Sequence, residues 1–154
     1  MSEGAADAEE KHIMYRHDQI GWLMIVVVGA AAIITGVLWD LHGETINAVG
    51  CIILFLLIPF FYRLQVIADD SELKVKFGIG LIKTAFRWED IEACKPVRNK
   101  WYFGWGIRKL DRGWMYNVSG LDAVEISMKN GRVYRIGTDE PETLCTVVQT
   151  HLTK

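Results

Sequence analysis

Cysteine is scarce, with three residues in 154, and an odd total without C-x-x-C spacing offers neither a disulfide framework nor a zinc site. Cys51 lies inside an apolar run, and Cys94 and Cys145 stand far apart in the chain. The histidines His12, His17, His42 and His151 are scattered, without the i, i+4 placement that turns two imidazoles toward one metal. No metal or cofactor is therefore expected. Excess charge is also missing: 17 basic against 19 acidic residues leave a net charge of -2, which excludes a surface tuned as a whole to nucleic acid. Catalytic constellations are absent as well. The carboxylates Glu89, Asp90 and Glu92 fall in a turn, and Asp139, Glu140 and Glu142 at a helix start, neither set with a nucleophile and base at usable spacing. Ser119 lacks the flanking glycines of a nucleophile elbow, and the G-x-G at Gly78 and Gly80 has no following helix to bind phosphate. The sequence is expected to be non-enzymatic.

Apolar residues, by contrast, make up 51% of the chain, and they are concentrated. Residues 20–38 read IGWLMIVVVGAAAIITGVL without a charge, and residues 45–62 read TINAVGCIILFLLIPFFY, closed by Arg63. At 1.5 Å per residue, runs of this length approach the ~30 Å hydrocarbon core of a bilayer. Two spans, at about 20–39 and 45–62, separated by a few residues form a hairpin. A cleavable signal peptide fits the first run poorly, because acidic residues Glu3, Asp7, Glu9 and Glu10 precede it and no small-x-small site follows Leu38. Two buried helices of a soluble protein would need more covering chain than the remainder supplies.

Basic residues near span ends stay in the cytoplasm. Lys11 and Arg16 precede the first span, Arg63, Lys74 and Lys76 follow the second, and the connecting DLHGE has neither Lys nor Arg. The expectation is a multi-pass protein of a bacterial inner membrane with both termini cytoplasmic. Trp22 and Tyr62 then fall at the inner interface and Trp39 at the outer, where amphipathic rings are favoured. Gly29, Ala32 and Gly36 recur on one side of the first helix, a face that packs its partner helix or a second copy. Pro59 bends the second helix near its end. Neither run holds an Asp, Glu, Lys or Arg to serve as a proton or ion relay.

Beyond Arg63 the pattern alternates as in half-buried strands. Leu64, Val66 and Ala68 lead through Asp69-Asp70-Ser71-Glu72 to Leu73, Val75 and Phe77, and Ile82, Thr84, Phe86 and Trp88 follow a glycine turn. The Asn130-Gly131 hairpin has two registers. A two-residue turn would face Ile126 with Arg135 and mix the surfaces; a three-residue loop, Lys129-Asn130-Gly131, matches Ile126 with Tyr134, Val124 with Ile136 and Glu125 with Arg135. The second register is expected. A final helix follows, with Asp139 at its N-cap and Leu144, Val147, Val148 and Leu152 on its apolar face. The layout is a cytoplasmic tail, partly disordered, over residues 1–18, a transmembrane hairpin over 19–63, and a mostly-β cytoplasmic domain over 64–154.

About seven short strands and a capping helix directly after a membrane hairpin resemble the bacterial pleckstrin-homology-like (PH-like) domain proteins. The resemblance covers about residues 64–152, and its most specific stretch is FGWGIRKLDRGWMYNVSGLDAVEISMKNGRVYRIGTDEPETL, residues 103–144. It implies a curved, nearly orthogonal β-sandwich or partial barrel capped by the helix, and no catalysis. Inositol-lipid binding is not carried over, because Lys74, Lys76 and Lys83 in the first hairpin are sparse.

Residues 98–116 mix rings and cations: Arg98, Lys100, Trp101, Tyr102, Phe103, Trp105, Arg108, Lys109, Arg112, Trp114 and Tyr116. Such a loop suits a headgroup zone, with rings at the interface and cations on anionic lipid. Alternate aromatics filling a sandwich core explain the same pattern, and both readings stand. RNA binding lacks a module and a broad basic surface. The expected function is a membrane-anchored adaptor that contacts another membrane protein or anionic headgroups. The alternative is an accessory subunit assembled into a larger complex through its hairpin.

Overall fold

The computed structural model describes residues 13–153. The expectations for residues 1–12, including the acidic stretch and Lys11, lie outside the described residues. The chain begins with strand β1 (Ile13–Ile20), then helices α1 (Trp22–His42) and α2 (Thr45–Phe61). Strands β2 (Arg63–Asp69), β3 (Glu72–Phe77), β4 (Ile82–Arg87), β5 (Ile91–Arg98), β6 (Gly106–Leu110), β7 (Gly113–Asn117), β8 (Asp122–Met128) and β9 (Val133–Gly137) follow, and α3 (Pro141–Leu152) closes the order. Short 3-10 turns occupy Trp88–Asp90 and Trp101–Phe103. The architecture is mixed helix and sheet: two helices, two sheets and a C-terminal helix, with no closed barrel among the described residues.

Helix α1 is long and apolar enough to cross a membrane; α2 is equally apolar but has 17 residues. Ala32 is the one buried residue described in α1, and α2 has none. Val26, Ile33, Ile46, Phe55 and Leu56 are all exposed, so no protein layer among the described residues covers the pair. The helices meet at Ala32, whose carbonyl accepts the Cys51 thiol at 3.4 Å.

The tail expected over residues 1–18 is corrected from Ile13 onward, where the chain is a strand. β1 pairs antiparallel with β2, setting Tyr15 opposite Ala68, His17 opposite Val66 and Gln19 opposite Leu64. Its polar residues Arg16, His17, Asp18 and Gln19 stand in one block and its partner lies beyond both helices, so no local alternation announces it. The first sheet has the order β1-β2-β3-β4. As expected from the alternation, Leu64 faces Phe77, Val66 faces Val75 and Ala68 faces Leu73. The turn between them is tied by Asp69, whose Oδ1 accepts the amides of Ser71 and Glu72, both at 2.9 Å. Lys74 Nζ donates to its Oδ2 at 2.6 Å.

The second sheet has the order β5-β8-β9-β7-β6, antiparallel except where β7 runs parallel to β9. The β8–β9 register is the one argued from surface matching: Val124 opposite Ile136, Glu125 opposite Arg135 and Ile126 opposite Tyr134. Gly131 has φ +79°, the left-handed conformation that a three-residue loop requires. Among the described residues there are nine strands against the seven or so expected: β1 joins from before the helices, and the ring-and-cation segment, expected as a loop, forms β6 and β7. Both are five residues long, β6 carries Arg108 and Lys109, and their place in the sheet comes from the pairing of β7 with β9, not from local pattern.

Leu64, Leu73 and Val75 of the first sheet meet Val124, Ile126 and Ile136 of the second in one core, closed by Leu144 and Val148 of α3. The apolar face expected for α3 is the one buried. Its cap is not the expected one: the helix starts at Pro141 after Glu140, without a side-chain cap, and Thr138 Oγ1 accepts the Glu140 amide at 3.1 Å. The Asp139 carboxylate instead meets His17 Nε2 at 2.5 Å, fastening β1 to the helix start.

Candidate membrane-proximal interface

The helices join the domain at one end of both sheets. The Gly21 amide donates to the Tyr62 carbonyl at 2.8 Å, and the Ile79 amide, in the β3–β4 turn, donates to the Pro59 carbonyl at 3.0 Å. Gly106, the first residue of β6, lies against Phe61, and Val118, just past β7, lies against Gly21. This end of the molecule carries the β3–β4 turn at the base of the helices; the 3-10 turn Trp101–Phe103 links β5 to β6 on the same end of the second sheet and folds back over its outer face toward Arg135.

At this base Arg63 grips Asp18 twice, with Nη2–Oδ2 at 2.7 Å and Nε–Oδ1 at 3.0 Å, and Gln65 Nε2 donates to the same carboxylate at 2.7 Å. Burial alone would raise the pKa of Asp18; the bonds from Arg63 and Gln65 and the nearby cations outweigh it and hold the carboxyl below its ordinary value.

The candidate residues of 98–116 do not form one surface. Trp101 is 77% exposed and Tyr102 52%, with Lys100 Nζ 5.6 Å from the Tyr102 ring centre. Trp105 is half-buried beside them, and Arg98, paired loosely with Asp122 at 3.9 Å, ends β5 on the same side. From Gly106 the chain runs away from the helices: Arg108 faces Met115 in mid-strand but turns its guanidinium back to Gly104, Lys109 faces Trp114, and Arg112 lies in the turn. Four residue steps put that turn about 13 Å farther along the strands. There Lys109, Arg112, Trp114, Arg132 and Tyr134 line an open cleft of about 410 Å³. Strand geometry thus divides the set that the sequence groups together.

The core and interface readings of the aromatics each hold for part of the segment. Tyr116 is buried and its hydroxyl accepts from Thr84 Oγ1 at 3.0 Å, joining the two sheets. Phe103 folds over the outer face toward Arg135, whose guanidinium carbon is 6.0 Å from the ring centre. Arg135 and Lys95 hold Glu125 in ion pairs at 2.8 and 2.9 Å. Trp101, Tyr102 and Trp114 remain exposed. Among the helix residues, Ala32 is buried against α2 and Gly36 lies 3.8 Å from Cys51 Sγ when a Cβ is placed on it, but a Cβ on Gly29 would meet open space. Two of the three small residues serve the contact within the hairpin.

Sequence reasoning did not single out the β3–β4 turn. Ile79, Leu81 and Ile82 are exposed there, with Lys76 and Lys83 just behind. The signal was present in GIGLIK, an apolar turn where polar residues are usual, flanked by lysines. No family model and no curated protein matches this chain.

Proposed function

We propose that this protein is a non-enzymatic membrane adaptor. Helices α1 and α2 cross the bilayer as a hairpin with both chain ends cytoplasmic, and a PH-like domain is held flat against the inner leaflet to contact anionic headgroups or another membrane protein. One observation carries this reading: the hairpin leaves and returns between β1 and β2, neighbouring antiparallel strands, so the domain is attached to it through two strands at once. A domain on a single tether samples many orientations; one joined through adjacent strands keeps one end toward the helices. The exposed Trp101 and Tyr102 stand at that end. Rings with one polar edge favour the interface.

The strand plan supports the PH-like assignment. Without β6 and β7, a four-stranded antiparallel meander is followed by the antiparallel run β5-β8-β9 and then by a helix. That is seven strands and a capping helix, with β6–β7 as a hairpin inserted between β5 and β8. The apolar helix surfaces left uncovered by the described residues support membrane crossing, and the 17 residues of α2 suffice for a span near the lower limit.

Reporters fused to each chain end of the full protein test the topology, and quenching of tryptophan fluorescence by brominated lipid in nanodiscs tests the docking. Both reporters are expected to be active only as cytoplasmic forms, and Trp101, kept as the single tryptophan with the other five replaced by phenylalanine, is expected to be quenched by bromines near the headgroups. A C-terminal reporter active only outside the cytoplasm, or a Trp101 signal blind to brominated lipid, overturns the reading.

A further inference from the structure

Strands β3 and β4 place Lys76 directly opposite Lys83. Like charges facing each other across an antiparallel pair repel and weaken it. Among the described residues neither lysine has a carboxylate partner. The row extends across the sheet, Gln65 opposite Lys76 and Asp18 opposite Gln65, but Asp18 is already engaged by Arg63 and Gln65. With Tyr62 and Arg63, these lysines line a cleft of about 240 Å³ at the end of the sheet where the helices begin. Among the described residues no carboxylate lines it.

The rim of this cleft is apolar. Ile79 is 56% and Leu81 68% exposed at the tip of the β3–β4 turn, and the turn cannot swing away, because the Ile79 amide is bonded to the Pro59 carbonyl in the last turn of α2. Behind the tip, the Lys83 stem passes the turn, its Cε 3.8 Å from the position a Cβ would take on Gly80. Apolar side chains that project farthest, with cations one step behind, match a bilayer boundary: hydrocarbon outside, phosphates next, water last.

We propose that this cleft binds the phosphate of an anionic glycerophospholipid, with Lys76 and Lys83 as the binding cations, Arg63 beside them, and Ile79 and Leu81 seated among the upper acyl carbons. The occupant follows from charge and continuity: Lys76 and Lys83 have no acid among the described residues to neutralise them, Arg63 being paired with Asp18, and the apolar rim of the cleft adjoins the uncovered surface of α2. The site is separate from the aromatic turn at Trp101, and it rests on the reading of the hairpin as membrane-embedded.

The test uses the full chain in nanodiscs of mixed phosphatidylcholine and phosphatidylglycerol, with native mass spectrometry counting the phosphatidylglycerol that stays bound on release. The double variant Lys76→Gln/Lys83→Gln is expected to retain it about twenty-five-fold more weakly, two cations at roughly fivefold each. In neutral nanodiscs the same variant is expected to melt at or above the temperature of the wild type, since a repulsive pair is removed, which separates lost binding from lost folding. Ile79→Ser/Leu81→Ser is expected to weaken retention with both lysines intact. Equal retention by wild type and lysine variant overturns the proposal. So does equal protection of the wild type by inorganic phosphate, which would make the cleft a site for soluble anions. Failure of the membrane reading looks different: the chain is then extracted by alkaline carbonate and enters no nanodisc.

Discussion

The Gly21 amide donates to the Tyr62 carbonyl at 2.8 Å, one step beyond the last paired residues of β1 and β2, Ile20 and Arg63. The ladder of the first sheet therefore continues to the base of the helices. Hairpin and domain are one structural unit, with β1 contributed from the far side of the hairpin.

It follows that a chain beginning at Arg63 lacks an edge strand. It would expose the unpaired edge of β2, including the backbone that faces Tyr15, His17 and Gln19 in the intact protein. Open edges of this kind pair with other chains. The shortened protein is expected to aggregate in size-exclusion chromatography, and supplying residues 13–20 through a short linker in place of the hairpin is expected to restore a monodisperse peak.

Gly78 has φ +60°, and a Cβ there would fall 2.3 Å from the Phe60 carbonyl oxygen. Gly78→Ala combines a left-handed backbone penalty with a backbone clash, for a loss on the order of 3 kcal/mol. A lowered midpoint in thermal unfolding of the detergent-solubilised protein checks this. Gly29→Ala, where the added methyl meets open space inside α1, is the control expected to leave the midpoint unchanged or raise it slightly.

Asp69 is buried, and burial alone would raise its pKa. The hydrogen bonds from Lys74, Ser71 and Glu72 outweigh that effect and hold the carboxyl well below the usual range. A depressed folded pKa contributes stability that is complete above the unfolded value, about 3.9, and is lost as pH falls through the folded value. Melting temperature is thus expected to decline in the acid range, with a shallower decline in Asp69→Asn. Asp69→Ala leaves the Ser71 and Glu72 amides without their acceptor and is expected to cost about 2–3 kcal/mol at neutral pH by chemical denaturation.

Trp101 stands almost free of the fold at 77% exposure. Trp101→Ala is expected to change unfolding free energy by less than about 0.5 kcal/mol, as for surface positions without special geometry. In a background with Trp22 and Trp39 replaced by phenylalanine, the same change is expected to remove most of the headgroup-depth quenching by brominated lipid. Trp114→Ala, at the far turn of the β6–β7 hairpin, is expected to leave that quenching intact.

Elements with a local signature are legible in the sequence. The two apolar runs declare themselves by length alone, β2 and β3 by alternation with a turn between, α3 by its periodic apolar face, and the β8–β9 register by the mismatch that its alternative would create at Ile126 and Arg135. Each is a relation between residues close in the chain, where periodicity and turn chemistry suffice.

What tertiary structure decided lies in relations between distant segments. β1 is a strand because β2 lies beside it after both helices have intervened. β7 runs parallel to β9, which no hairpin can announce. Strand direction puts Trp101 and Arg112 beyond opposite ends of β6, and cross-strand register sets Lys76 against Lys83 beside the helix end. By itself the sequence determined which residues seek an apolar phase and which alternate between faces, because those follow from side-chain chemistry and local period. Which cations lack a counter-charge, and which rings stand at the base of the helices, depends on non-local backbone pairing and was settled only when the chain folded.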